Sequence, residues 1–402
     1  MNVCERFLSY VAIGTNSDEK SAVMPSTPSQ RVLGEAIVKE LHSLGIDNAF
    51  IDEKGYVYAF LEATKGRENG KNIGFLAHMD TSPSVPGDNI KARVIEYTGG
   101  DIEQSEGRYI RAKEFEVLEK YVGQHLVITD GTTLLGADDK AGIAEIITGV
   151  EYLVSHPEIS HRGVALCFTP DEEINRGTDG FDFEKFNAKE GYTLDGGTVG
   201  GIEFENFNAA GVDVTVHGVN IHPGSAKNKM KNALLMAIDF INDLPSAETP
   251  AHTENYEGYY HVSDFSGDET EAKFHMLIRD FFKESFEKRK QFVRDLTEYK
   301  NKVYGEGSFE TVIEDSYYNM REYIEPSYHL IENAEKAIRA AGAEPYHCPI
   351  RGGTDGAVLS SKGLPCPNLP TGGENFHGVH EFVSVEAMEQ MSMVVVELAK
   401  NP

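Results

Sequence analysis

The sequence is poor in cysteine, and its cysteines show no paired spacing. The four in the chain are Cys4, Cys167, Cys348 and Cys366, and no two of them form a CxxC pair. This spacing favours neither a disulfide framework nor a zinc site built from thiolates. We therefore expect any metal ion to be held by nitrogen and oxygen ligands.

The sequence also lacks long basic runs and long apolar runs. The chain has 37 Lys and Arg residues but 65 Asp and Glu residues. This excess of negative charge argues against nucleic acid and anionic membranes as partners. No stretch approaches the roughly 20 apolar residues of a membrane span, and MNVCERFLSY at the start lacks the pattern of a secretory signal. We expect a cytoplasmic protein that acts on small molecules or peptides.

Length and hydrophobic pattern predict two domains, because single cores usually stop growing near about 250 to 300 residues. The first half alternates helical patterns with short apolar runs, which is typical of an α/β fold with a largely parallel sheet. We predict strands in VYAFLEA, NIGFLAH, GVALCFT and GYTLD, and a crossover helix in KAGIAEIITGVEYLVSH.

The pattern changes near Asn208, where strands that alternate apolar and polar residues accompany amphipathic helices. We predict an inserted α+β domain at 208–316. Residues 1–207 and 317–402 then form one discontinuous domain.

Five short segments of the discontinuous domain carry possible metal ligands. Ligands bind at the carboxyl ends of strands in open parallel sheets, so these segments could converge on one crevice. They are HMD (78–80), GADDKAG (136–142), DEE (171–173), LDGG (194–197) and FHGVHE (376–381).

Each segment alone has an ordinary structural explanation. His78 could be a hydrogen-bonded core residue, Asp138 or Asp139 a helix cap, Asp195 a turn residue and HGVH an exposed loop. The three carboxylates of FTPDEE are harder to explain, because adjacent carboxylates raise each other's pKa unless a cation lies among them. One metal site accounts for all five segments.

Carboxylates with imidazoles and no thiolate suit Zn²⁺, with Mn²⁺ or Co²⁺ as substitutes. If Asp138 bridges, two ions can share it, each with one histidine and one further acid. Such a centre activates water for hydrolysis. We predict that one of the adjacent acids Glu172 and Glu173 contacts a metal, and that Glu172 is the general base.

The motifs resemble those of the di-zinc peptidases and deacylases that include aminoacylase and succinyl-diaminopimelate desuccinylase. The resemblance extends over about residues 5–395. It is carried by FLAHMDTSP, TLLGADDKAGIAEI, FTPDEE, EFENFNAAG, HPGSAKNKMKNAL, YEGYYH, IEDSYYNMRE, PIRGGTDGA, and GLPCPNL followed by TGG.

The resemblance implies two zinc ions per chain and assigns ligands to each. His78, Asp138 and Asp195 would hold one ion, and Asp138, Glu173 and His377 the other. The family's motif spacing selects Asp138 over Asp139 and His377 over His380.

The resemblance also implies supporting roles. Asp80 would accept the second ring N–H of His78, and the peptide bond after Asp138 would be cis. The inserted domain would be a ferredoxin-like lid that forms a homodimer. His222 would then reach the partner's active site and donate a hydrogen bond to the oxyanion.

The function that this resemblance favours is an aminopeptidase acting on tripeptides, with Arg279 and Arg351 as candidates to bind the substrate carboxylate. Either arginine could instead be a structural ion-pair partner. Pro370 and Glu374 depart from the family pattern, which bears on substrate preference. Two other functions fit the sequence: a dipeptidase or N-acyl amino acid deacylase, and a dimeric binding protein without catalysis.

Overall fold

The structure, a computed structural model, describes residues 1–401 and divides into two compact units. The main unit comprises Met1–Phe204, Glu322–Cys348 and the segment that begins at Thr354. The inserted unit comprises Glu205–Arg321 and Pro349–Gly353. The predicted insertion at 208–316 omits the short second segment of the inserted unit.

The described residues form ten α-helices and eighteen strands. The helices are α1 (Val3–Val11), α2 (Pro28–Ser43), α3 (Ala137–Ser155), α4 (Phe183–Phe186), α5 (Ala233–Asn242), α6 (Lys283–Tyr304), α7 (Arg321–Ile324), α8 (His329–Ala340), α9 (Asp355–Ser361) and α10 (Val385–Lys400). The strands are β1 (Phe50–Ile51), β2 (Val57–Leu61), β3 (Ile73–His78), β4 (Arg93–Glu96), β5 (Ile102–Ser105), β6 (Arg108–Ile110), β7 (His125–Ile128), β8 (Val164–Thr169), β9 (Gly191–Gly196), β10 (Gly201–Ile202), β11 (Asn208–His217), β12 (Tyr259–Gly267), β13 (Glu271–Asp280), β14 (Phe309–Tyr317), β15 (Tyr346–His347), β16 (Asn368–Pro370), β17 (Gly373–Glu374) and β18 (Phe382–Ser384).

A six-stranded mixed sheet forms the centre of the main unit, in the order β1-β2-β8-β3-β9-β16. Strands β8, β3, β9 and β16 pair in parallel, and β2 pairs antiparallel with β8. Every residue of β3 and β8 is buried, as expected for strands covered on both faces. The carboxyl ends of β3, β8 and β9 therefore lie at one edge.

Helix α3 lies close against this sheet, and a glycine permits the approach. A Cβ atom added to Gly142 would lie 2.1 Å from the carbonyl oxygen of Leu194 in β9, so no larger residue fits there without displacing the helix or the strand. The start of α3 is thereby held beside the end of β9, where Asp195 lies.

The inserted unit is a four-stranded antiparallel sheet with two helices, in the chain order βαββαβ. Its strand order is β12-β13-β11-β14, the arrangement of a ferredoxin-like fold. Inward-facing residues of β11 and β13 alternate with outward-facing ones and pack with α5 and α6 in one apolar core.

The predicted fold class is confirmed: an α/β domain with a mixed sheet carries an inserted α+β domain. Each predicted strand and the crossover helix are present, but the small antiparallel sheet β17-β18-β7-β4 was not predicted. Its strands have two to four residues, too few to show a periodic pattern. No helix within residues 1–401 combines the length and the apolar character needed to cross a membrane.

Candidate metal centre

The five predicted segments supply side chains that meet at one edge of the central sheet. His78 is the last residue of β3, and Asp138 lies in the first turn of α3. Asp195 is the next-to-last residue of β9, and Glu173 lies in a short 3-10 helix after β8. His377 comes from the turn between β17 and β18.

Asp138 lies between two imidazole rings. Its Oδ1 is 2.7 Å from Nε2 of His78, and its Oδ2 is 3.0 Å from Nε2 of His377. A carboxylate whose two oxygens face two separate nitrogen donors has the geometry of a bridging ligand.

A second acid accompanies each imidazole. Oδ1 of Asp195 lies 3.4 Å from Nε2 of His78, and Oε2 of Glu173 lies 3.0 Å from Nε2 of His377. The five side chains thus form two trios that share Asp138.

Asp139 lies next to this cluster and is close enough to His78 and Asp195 to be an alternative ligand. However, its Oδ2 accepts the backbone N–H of His78 at 3.0 Å, and its Oδ1 accepts that of Gly142 at 3.3 Å. These bonds favour a structural role for Asp139. The peptide bond between Asp138 and Asp139 is cis, as the resemblance implied.

The main chain before and at Asp138 is held by Glu381. One carboxylate oxygen of Glu381 accepts the N–H groups of Leu135 and Gly136, and the other accepts that of Asp138 at 3.0 Å. Glu381 is the last residue of the FHGVHE segment, which was predicted only to supply a histidine ligand. Its side chain has a positioning role that spacing alone does not reveal.

The FTPDEE stretch separates its three acids by function. Asp171 is buried in a left-handed conformation, and its carboxylate accepts hydrogen bonds from Ser26 and Gln30. Glu173 faces His377. The carboxylate of Glu172 forms no hydrogen bond to another side chain among the described residues.

Asp80 supports the site in a way that differs from the expectation. Nδ1 of His78 lies 2.9 Å from the main-chain oxygen of Asp80 and 3.4 Å from its carboxylate. The carboxylate instead accepts the N–H groups of Glu172 and Glu173 at 2.9 and 3.1 Å. Asp80 thus fixes both the His78 ring and the backbone of the two glutamates.

The electrostatics of the cluster indicate that it requires positive charge. Burial raises the pKa of Glu172 well above its usual value, and burial together with the Asp138 charge raises that of Glu173. Burial, with a contribution from Asp138, raises the pKa of Asp195 to about 8. Such carboxylates can all be ionised near neutral pH only if cations lie among them.

The donor set fits divalent metal ions. Nδ1–H of His78 donates to the Asp80 carbonyl, so Nε2, which faces Asp138 and Asp195, is the nitrogen that would bind a metal. Oε1 of Glu173 is buried without a hydrogen-bond partner among the described residues. Imidazole nitrogen and carboxylate oxygen are the ligand types that zinc accepts in hydrolytic sites.

His380 was the alternative to His377 as a metal ligand, but its ring contacts other residues. Its Nδ1 lies 3.2 Å from Oε1 of Gln104, and its ring packs against Phe115 with centroids 5.2 Å apart. Its ring therefore pairs with neutral side chains, whereas His377 faces two carboxylates.

The three remaining candidates lie in the inserted unit. Arg351 donates four hydrogen bonds from Nη1 and Nη2 to Thr253, Asn255 and Glu257, three of them to main-chain carbonyls, and it stacks on aromatic rings. This is the bonding of a structural arginine, so we assign it no substrate. In contrast, Nη1 of Arg279 is buried without a hydrogen-bond partner among the described residues.

His222 is exposed and caps a short 3-10 helix. Its Nδ1 accepts the N–H of Gly224 at 3.2 Å. In the neutral ring the proton is therefore on Nε2, which leaves an outward donor.

One further acid near the site was missed in the sequence analysis. Asp355, in the GGTDGA motif, is buried and accepts a hydrogen bond from Thr169 Oγ1 at 2.8 Å, and burial raises its pKa to about 6. Thr169 ends β8 two residues before Asp171, the first acid of FTPDEE. The GGTDGA motif was the sequence feature that could have drawn attention to Asp355, but it did not indicate Thr169 as its hydrogen-bond partner.

Comparisons with known proteins identify relatives of this chain. The family model described as "Peptidase dimerisation domain" matches residues 204–308. Peptidase T of Caldanaerobacter subterraneus subsp. tengcongensis is 50% identical over 401 residues, which cover 99% of this chain and 98% of that protein. The chain belongs to the peptidase T family. The resemblance stated from the motifs is thereby confirmed.

Solved structures support the same fold. Aminopeptidase PepT from Bacillus cereus has a TM-score of 0.78 at 24% identity, with 99% of this chain and 97% of that chain covered. A Bacillus subtilis protein described as a dinuclear metal-binding peptidase of the M20 family has a TM-score of 0.65 at 16% identity, with 99% and 96% covered.

Proposed function

We propose that this protein is a cytoplasmic, metal-dependent aminopeptidase that hydrolyses the first peptide bond of tripeptides. The observation that carries the proposal is Asp138 lying between His78 and His377, with the uncommitted carboxylate of Glu172 on the same segment as Glu173. Membership of the peptidase T family supports the substrate class.

The residues that would hold the metals follow from the two trios. We assign His78, Asp138 and Asp195 to one zinc ion, and Asp138, Glu173 and His377 to the other; Co²⁺ or Mn²⁺ could substitute. Two such ions, when bound, polarise the scissile carbonyl and lower the pKa of water.

Glu172 is the residue that moves the proton. Its backbone N–H is fixed by the Asp80 carboxylate at 2.9 Å, and its own carboxylate is left free. We assign it as the general base that takes a proton from the attacking water and returns it to the leaving amine.

A peptide panel tests the proposed activity. Metal-reconstituted protein is assayed against di-, tri- and tetrapeptides and N-acetyl amino acids, with metal content measured in the same samples. We expect tripeptides to be hydrolysed fastest, with release of the amino-terminal residue. Preference for dipeptides or acetyl-amino acids would establish one of the alternative hydrolases, and two bound metals without turnover would indicate a binding protein.

Glu173→Gln should release one metal ion while Glu172→Gln retains both. A neutral amide is a poor ligand for a dication, and Glu173 is the acid that faces His377. Metal analysis after dialysis measures the difference. Equal metal content in the two variants would mean that the roles of ligand and base are reversed or shared.

Arg279 is our candidate for the substrate carboxylate, because its Nη1 has no partner among the described residues and its guanidinium lies 5.0 Å from the centroid of the Tyr317 ring. Arg279→Met should raise KM for a tripeptide by about 10- to 100-fold, since hydrogen bonds to charged groups contribute about 1.5 to 3 kcal/mol. The kcat value should change less.

The control for Arg279 is a tripeptide amide, which lacks the terminal charge. The substitution should hardly alter KM for this substrate. An equal rise in KM for the acid and the amide would show that Arg279 does not bind the carboxylate.

We also propose that the protein is a homodimer formed through the inserted unit, because residues 204–308 match the peptidase dimerisation domain. His222 would then complete the partner's active site. Its outward Nε2–H is suited to donate to an oxyanion.

A further inference from the structure

We propose that Glu374 is a positioning residue whose carboxylate ties the Asp195 segment to the His377 turn and so sets the spacing of the two metal trios. This inference rests on the proposed function. Oε1 of Glu374 accepts a hydrogen bond from Thr198 Oγ1 at 2.5 Å and another from Tyr121 Oη at 2.7 Å.

The chain positions of these residues give the contact its importance. Thr198 lies three residues after Asp195, which belongs to the His78 trio. Glu374 lies three residues before His377, which belongs to the other trio. One carboxylate oxygen therefore joins the segments that carry a ligand of each proposed metal ion.

The Thr198–Glu374 contact adds to main-chain hydrogen bonds that join the same two segments. The N–H of Thr371 donates to Gly196 O at 2.9 Å, and that of Gly372 donates to Gly197 O at 2.8 Å. The bond from Thr198 to Glu374 continues the same pairing with side chains. The contacts between the two segments therefore extend to Glu374, the last residue before the turn that carries His377.

The turn beyond Glu374 depends on such anchors. Asn375 and His377 both have positive φ, at 59° and 62°, and the His377 side chain is 50% exposed, so little packing holds the ring. The far side of the turn is held by Gln104, whose Nε2 donates to Val379 O at 2.7 Å. Glu374 is its counterpart on the near side.

Tyr121 makes the anchor rigid. Its side chain is buried, with the residue 4% exposed, and its ring packs edge-on against Phe382 with centroids 5.4 Å apart. Phe382 follows Glu381, which holds the backbone of Asp138. The Glu374 carboxylate is therefore fixed relative to the bridging ligand as well.

Removal of this anchor should weaken one metal ion selectively. We call the ion assigned to His78, Asp138 and Asp195 the first ion and the one assigned to Asp138, Glu173 and His377 the second. We expect Glu374→Ala, and the double variant Tyr121→Phe with Thr198→Val, to lower affinity for the second ion by about tenfold or more, as is typical for groups that orient ligands. The first ion should bind as in the unaltered protein. Titration of the metal-free protein with Co²⁺, followed by calorimetry and visible absorption, resolves the two binding steps.

Two further variants test whether the effect comes from the hydrogen bonds of Glu374, from its negative charge or from a general loss of stability. Glu374→Gln retains an acceptor oxygen for both bonds, so it should bind the second ion within about threefold of the unaltered protein. Tyr10→Phe is the matched control, because Tyr10 is 3% exposed and donates to the Glu40 carboxylate without contacting a proposed ligand. It should leave both metal steps unchanged.

The outcomes distinguish this inference from the proposed function. If the unaltered protein binds two ions and hydrolyses tripeptides while Glu374→Ala keeps both affinities, Glu374 has no positioning role. If Glu374→Gln is as defective as Glu374→Ala while the Tyr121 and Thr198 pair has no effect, the negative charge acts directly and the positioning role is wrong. Failure of the unaltered protein to bind two ions would overturn the proposed function instead.

Discussion

Replacing Glu172 with glutamine should leave both metal ions bound and lower kcat by about 10² to 10⁴, the usual contribution of a general base. The amide can still hydrogen-bond to water but cannot take its proton. The backbone bond from Glu172 N–H to Asp80 does not involve the altered side chain, so the segment should keep its conformation. Steady-state assays with metal analysis of the same preparation measure both effects.

Two comparisons make the Glu172 result decisive. Glu173→Gln should lose a metal ion, whereas Glu172→Gln should not, although the same change is made one residue away. Excess Zn²⁺ should therefore restore part of the activity of the first variant and none of that of the second. A Glu172→Gln enzyme within tenfold of the unaltered rate would falsify the general-base assignment.

The sequence was sufficient to place the ligand segments because the sheet follows a general rule. His78, Glu173 and Asp195 all stand at or just beyond the carboxyl ends of buried apolar strands, and those ends share an edge in a parallel sheet. The strand pattern is local, and parallel pairing of such strands always brings their carboxyl ends to the same edge. The fold class was predictable for the same reason.

The supporting contacts were not predictable, because each depends on residues far apart in the chain. Arginine is a residue type that often binds carboxylates. The guanidinium of Arg351 instead donates to main-chain carbonyls almost a hundred residues earlier in the chain. Glu374 was noticeable only as a departure from the family pattern. Its partners Tyr121 and Thr198 are identified by the fold alone.

Asp80 shows the limit of motif analysis within a single short segment. The resemblance implied that Asp80 accepts the second ring N–H of His78, but it did not show which oxygen of Asp80 does so. The main-chain carbonyl takes the ring N–H, and the carboxylate is left to hold the glutamates at 172 and 173. Such a division depends on how the segment after β8 meets the segment after β3, and no local sequence pattern indicates this contact.

His222→Ala should lower kcat by about 10² to 10³ without loss of metal, as expected when one donor to an oxyanion is removed. The charge on the oxyanion exists only in the transition state, so substrate binding should change little. His222 uses Nδ1 to accept the Gly224 N–H, which leaves Nε2–H as the outward donor. His252→Ala is the matched control, because His252 is also exposed and its Nδ1 is bonded to Thr249 nearby.

Mixing inactive His222→Ala with inactive Glu172→Gln tests whether the donation crosses the dimer. In each mixed dimer one site would receive an intact metal centre from one chain and an intact His222 from the other. Random exchange makes about half of the dimers mixed, so activity should return to roughly a quarter of the unaltered level. Exchange is verified with subunits that carry different tags. If subunits exchange and no activity returns, His222 acts within its own chain or has no part in catalysis.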